Sequence, residues 1–78
     1  MINKVLKTMR HKAKLKQSDV SKKCNIANTT LSGYETGYRE PTFETIEKIA
    51  DACGYDIYFV NRNTKEQLDT KNIERKEI

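Results

Sequence analysis

Apolar residues recur at Ile2, Val5, Leu6, Met9 and Ala13, the spacing of one face of a helix, and predict an amphipathic helix over residues 2–13. Lys14-Leu15-Lys16 reads as a connector with Leu15 tucked inward. A second short helix covers 17–24, burying Val20 and Cys24 four residues apart, with Ser18 and Asp19 in a first turn that favours an acid. Asn25 tolerates the left-handed conformation that ends a helix, and Ile26 and Ala27 make a tight turn. Residues 28–36 form a third helix, with Leu31 and Tyr34 inward and Thr29, Ser32 and Gly33 outward, and Gly37 stops it. Pro41 keeps the loop at 38–41 out of helix. Thr42 caps a fourth helix whose stripe is Phe43, Ile46, Ile49, Ala50 and Cys53, and Gly54 ends it. The pattern then changes. Tyr55-Asp56-Ile57-Tyr58-Phe59-Val60 is aromatic and β-branched and reads as a strand, the one convincing strand in the chain. In residues 61–78, Leu68, Ile73 and Ile78 are spaced too thinly for a core, so a flexible polar tail or a short helix is expected.

Size makes that strand matter. A chain of 78 residues is one small domain, and it buries only roughly 60% of its unfolded surface. A lone strand is not stable. Pairing of Tyr55, Ile57, Tyr58, Phe59 and Val60 with a second copy across a two-fold axis would supply the missing burial, so a homodimer is expected. The organisation expected is a domain over 1–54, a dimerisation strand over 55–61 and a tail over 62–78.

Charge is unevenly spread. Residues 1–23 carry Lys4, Lys7, Arg10, Lys12, Lys14, Lys16, Lys22 and Lys23 against Asp19 alone, a balance of +7. Residues 24–60 carry Arg39 and Lys48 against Glu35, Glu40, Glu44, Glu47, Asp51 and Asp56, a balance of −4. The tail is +1 and the whole chain +4. A basic end suits a polyanion. Two cysteines are too few for a disulfide framework. No apolar run approaches the ~18 residues of a membrane span, and the N-terminus has no signal-peptide pattern. A small cytoplasmic binding module is expected. Cys24, Cys53 and the single His11 lack zinc-ligand spacing, and both cysteines lie on apolar stripes, so no metal site is expected. There is no Gly-rich phosphate loop and no nucleophile–base motif, so neither a cofactor nor enzyme activity is expected.

The informative segment is Gln17 to Glu35. Two short helices meet through a three- to four-residue turn, the DNA-binding helix-turn-helix arrangement. Ser21 must be small where the helices approach, Asn25 must take an unusual backbone angle, and Val20, Cys24, Ile26, Leu31 and Tyr34 must be apolar to lock the crossing.

Here the chain resembles the Cro/cI-type (XRE) helix-turn-helix family. The resemblance runs from about Leu6 to Tyr55 and is carried by Leu6 to Arg10, Gln17, Ile26, Leu31-Ser32, Tyr34-Glu35-Thr36-Gly37, Arg39-Glu40-Pro41-Thr42, Glu44-Thr45-Ile46, Lys48-Ile49-Ala50 and Ala52-Cys53-Gly54. It implies an all-α, lambda-repressor-like bundle of four to five short helices, here followed by one C-terminal β-strand. It also implies a regulator from a bacterium, phage or mobile element that binds a double-stranded DNA operator. By the same resemblance, Asn28, Thr29, Ser32 and Gly33 fall at base-reading positions, and Gln17, Ser18, Tyr38, Arg39 and Thr42 at phosphate positions. Arg10 and Glu35 fall where the family often pairs a base in the first helix with the acid of the recognition helix, a structural ion pair. Asn25 stands where the family usually has Gly, Ser21 where it has Ala, and Ala27 where it has a Ser or Thr cap. Gly33 replaces a frequent Arg or Gln. Some HipB-type antitoxins look similar, with a comparable domain followed by one strand. That leaves two expectations: a sequence-specific repressor, or an antitoxin that binds a toxin protein and represses its own operon.

Overall fold

A computed structural model describes residues 1–70. Four helices, α1 (Ile2–Lys12), α2 (Gln17–Cys24), α3 (Asn28–Thr36) and α4 (Phe43–Ala52), precede a two-stranded sheet of β1 (Phe59–Val60) and β2 (Gln67–Leu68). The expected residues make the core: Leu6 and Met9 of α1, Val20 and Cys24 of α2, Leu31 of α3, Ile49 and Ala50 of α4, then Cys53. Leu6, Val20, Leu31 and Ile49 are fully buried, one from each helix, so removing any of them opens a cavity where all four helices meet. α3 packs on α1 and α2, and α4 packs on the same two helices from elsewhere. Of the predicted inward stripes, Val5 of α1 and Phe43 of α4 stay exposed.

The punctuation follows backbone physics. Asn25 ends α2 in the left-handed region, φ 56° and ψ 45°, and its N–H bonds the Lys22 carbonyl. Gly37 ends α3 at φ 84°. At the start of α4 the Thr42 hydroxyl accepts the Thr45 N–H at 3.2 Å, one of the donors a helix start leaves unpaired. Asp19 does the converse for α2, its carboxylate accepting the Lys16 N–H at 2.9 Å.

The C-terminal part differs from the sequence expectation in two ways. Only Phe59 and Val60 of the run 55–60 are strand, and they pair antiparallel within their own chain, Phe59 with Leu68 and Val60 with Gln67. The first half of the run is tied to the core instead: the Tyr55 N–H reaches the Ala50 carbonyl at 2.8 Å, and Ile57 packs on the core cluster. Second, residues 61–68 are neither helix nor structureless. Asn61 closes the hairpin with its side chain, Oδ1 accepting the N–H groups of Asn63 and Thr64 at 2.9 and 3.1 Å. The Asn61 N–H also bonds the Glu66 carbonyl, and Lys65 takes the positive φ such a turn needs, 66°. The hairpin leans on α4 through the Phe43 and Phe59 rings, 5.9 Å apart, and through Thr70 Oγ1 donating to Glu47. The strand thus has a partner in its own chain. The expected tail beyond residue 70 lies outside the described residues.

Candidate nucleic-acid interface

α2 and α3 cross with Ser21 between them. Ser21 is buried, and its hydroxyl donates back to the Ser18 carbonyl at 3.2 Å and lies 3.4 Å from Asn28 Oδ1. A larger side chain there would push the start of α3 away from α2. Asn28 and Thr29 are exposed in the first turn of α3, and Ser32 and Gly33 are half-buried one turn on. The four positions expected to read bases therefore lie together along one helix. None of them carries a charge.

The one charge on α3 is turned inward. Glu35 is 4% exposed and Arg10 9%. Arg10 grips the carboxylate with two parallel bonds, Nε to Oε2 at 2.7 Å and Nη2 to Oε1 at 2.9 Å, the fork geometry that suits guanidinium to carboxylate. Its Nη1 donates to the Leu15 carbonyl at 2.9 Å, so the same side chain also holds the α1–α2 connector. Gln17, placed by sequence at a phosphate position, gives its amide Nε2 to Glu35 Oε1 at 3.1 Å. Burial pushes the Glu35 carboxyl up. The hydrogen bonds from Arg10 and Gln17, with the Arg10 charge, outweigh that and hold it below its ordinary value. The bond to Glu35 raises Arg10 above its own, burial opposing. The resemblance implies the Arg10–Glu35 pair but not the Gln17 amide on Glu35 or the Leu15 carbonyl on Arg10, contacts that only the folded chain brings together.

Of the other expected phosphate contacts, Ser18, Tyr38, Arg39 and Thr42 are all exposed, Tyr38 at 85%. Arg39 is held in a way sequence did not anticipate. Its N–H returns to the Gly33 carbonyl at 3.1 Å around Gly37. Its stem lies over Gly33, where a Cβ would stand 3.7, 3.4 and 3.2 Å from Arg39 Cβ, Cγ and Cδ. The five residues expected at a dimer contact are divided: Tyr55, Tyr58, Phe59 and Val60 are exposed, and Ile57 is half-buried on its own core. Cys24 and Cys53 are buried thiols, both pushed up by burial. Among the described residues no helix is long and apolar enough to cross a membrane.

A family model described as helix-turn-helix matches residues 6–60, from mid-α1 to the end of β1. The chain is similar to the HTH-type transcriptional regulator ImmR of Bacillus subtilis (strain 168), 34% identical over 71 residues. That match covers 91% of this chain and 54% of the relative, so the chain spans about half the length of that curated protein.

Proposed function

The chain belongs to the helix-turn-helix family of the Cro/cI (XRE) type, and from that premise we propose that it is a sequence-specific double-stranded DNA-binding transcriptional regulator, a repressor that lays α3 in the major groove. The observation that carries the reading is the outer face of α3. Asn28, Thr29 and Ser32 stand on it uncharged, while Glu35, which would repel phosphate, is buried against Arg10. Asn suits the N6 and N7 of adenine and a Thr methyl suits the thymine methyl. Ser18, Tyr38 and Thr42 flank that face as phosphate contacts, and the basic residues of 1–23 supply the sequence-independent attraction. The name of the Bacillus subtilis relative, a transcriptional regulator, favours this reading over the antitoxin one. The exposed aromatic end of the chain supports a dimer, which would set two copies of α3 on half-sites about one DNA turn apart, ~34 Å.

Selection of bound duplexes from a random pool tests the reading. A common site, two-fold symmetric if the dimer reads it, is expected; a pool that enriches nothing overturns the proposal. On the selected site Asn28→Ala should cost about 1–3 kcal/mol and leave binding to unrelated duplexes unchanged. Equal loss on every duplex would move Asn28 to the phosphate contacts.

A further inference from the structure

A half-buried glycine inside a nine-residue helix calls for an explanation, since glycine weakens a helix relative to alanine. Gly33 sits on α3 four residues after Thr29, one turn further along the same face. It needs no special φ, so backbone conformation does not account for it. What accounts for it is Arg39. The stem of Arg39 lies along the bare backbone, and the approach tightens outward, from 3.7 Å at Cβ to 3.2 Å at Cδ, measured to the position a Cβ on Gly33 would take. A side chain that closes on the helix as it extends is lying down on it, not standing off it. The Arg39 N–H bonded to the Gly33 carbonyl fixes the other end of the residue. Arg39 has no ion-pair partner among the described residues, so its guanidinium is uncommitted, and α3 itself contains no basic residue.

We propose that Arg39, seated on Gly33, serves as a base-reading side chain of the α3 face: the loop supplies the arm that position 33 lacks, and its guanidinium fork reads a guanine edge. The inference rests on the DNA-binding reading and names a specificity determinant within it. Two donors in a fixed plane match the guanine O6 and N7 acceptors, a match that lysine, a point charge on a flexible stem, does not reproduce. Gly33 thereby matters for what it leaves open. Alanine there would bring its Cβ to 3.2 Å from Arg39 Cδ, so the stem would have to shift outward by a few tenths of an ångström.

The test measures the full chain, Arg39→Ala, Arg39→Lys, Gly33→Ala and the Gly33→Ala/Arg39→Ala double variant on the selected duplex, on single-base variants of it, and on a scrambled duplex, with thermal unfolding of each as a control for folding. Arg39→Ala is expected to lose about 5- to 150-fold on the selected duplex, and its preference at one guanine position per half-site, with much less loss on the scrambled duplex. Arg39→Lys is expected to keep binding to the scrambled duplex and to lose the same guanine preference. Gly33→Ala should lower that preference only while Arg39 is present, so the two changes should not add. Equal losses on selected and scrambled duplexes, with a salt slope reduced by about one unit, would make Arg39 a phosphate contact and overturn the inference. Additive effects of Gly33→Ala and Arg39→Ala would overturn the seat. In either case the parent chain still discriminates; if it selects no duplex at all, the DNA-binding reading itself falls, a distinct result.

Discussion

At the scale of single residues, Arg10 and Glu35 hold one joint together with more partners than a pair suggests. Glu35 is bonded by Arg10 and Gln17, and Arg10 also by the Leu15 carbonyl, so one buried charge ties α1, the connector, α2 and α3. Arg10→Ala should therefore cost about 3–5 kcal/mol in denaturant unfolding, because it strands a carboxylate at a helix interface. Replacing both, Arg10→Met with Glu35→Leu, should cost less than that single change. Because the Glu35 carboxyl is held below its ordinary value, folding gains from its ionised form above the unfolded value of about 4.3 and loses that gain as pH falls through the lower folded value. Glu35→Gln should flatten the acid limb of a stability–pH curve and leave the neutral region without a slope. Arg10, raised above its ordinary value, keeps its contribution below its unfolded value and loses it only as pH rises through the higher folded one, far above the acid limb.

At the scale of elements, what was legible in the sequence was what local physics fixes. Asn25 announced a left-handed helix end, and Thr42 a cap, because each position is decided within four residues of chain. Asn25→Gly should accordingly keep the stability of the parent, while Asn25→Val should lose about 1–2 kcal/mol by thermal or denaturant unfolding, the cost of a β-branched residue at φ 56°. If valine and glycine behave alike, the left-handed turn is not what positions α3 against α2. The C-terminal hairpin was illegible for the opposite reason. Six aromatic and β-branched residues look like one strand. In the fold Ile57 must reach the core and the Tyr55 N–H must satisfy Ala50, which leaves only Phe59 and Val60 in ladder geometry. Its partner, Gln67–Leu68, has no strand pattern of its own. A signal did exist in Asn61-Arg62-Asn63-Thr64, a run of turn-forming residues between two apolar positions. The seat of Arg39 on Gly33 could not be read at all, since a glycine in a helix says nothing of what lies over it.

At the scale of the whole molecule, the apolar surface is lopsided. Apart from Met1, Tyr38 and Val60, the exposed large apolar residues, Val5, Phe43, Tyr55, Tyr58 and Phe59, all line one groove of about 760 Å³ between α1, α4 and the segment leading into β1. Large exposed aromatics gathered in one region of a small domain mark a contact surface. The hairpin changes the argument for what fills it. β1 already has β2 on one side, so a second copy is not needed to complete a lone strand. The dimer proposed above rests on the apolar groove instead. Deleting the C-terminal segment would be a poor test, because Ile57 belongs to the core. Tyr58→Glu is a better one: the side chain is half exposed and no described hydrogen bond uses it, so the fold should survive. Sedimentation of the parent chain should show a dimer that Tyr58→Glu converts to monomer with an unchanged unfolding transition. Operator affinity should fall steeply with it, since a monomer engages one half-site at a time, whereas binding to scrambled duplex, set by the basic residues of each copy, should change little. A parent chain that stays monomeric at all concentrations, or a Tyr58→Glu chain that stays dimeric, would remove this groove from the dimer and leave the pairing of two α3 helices on DNA to some other surface.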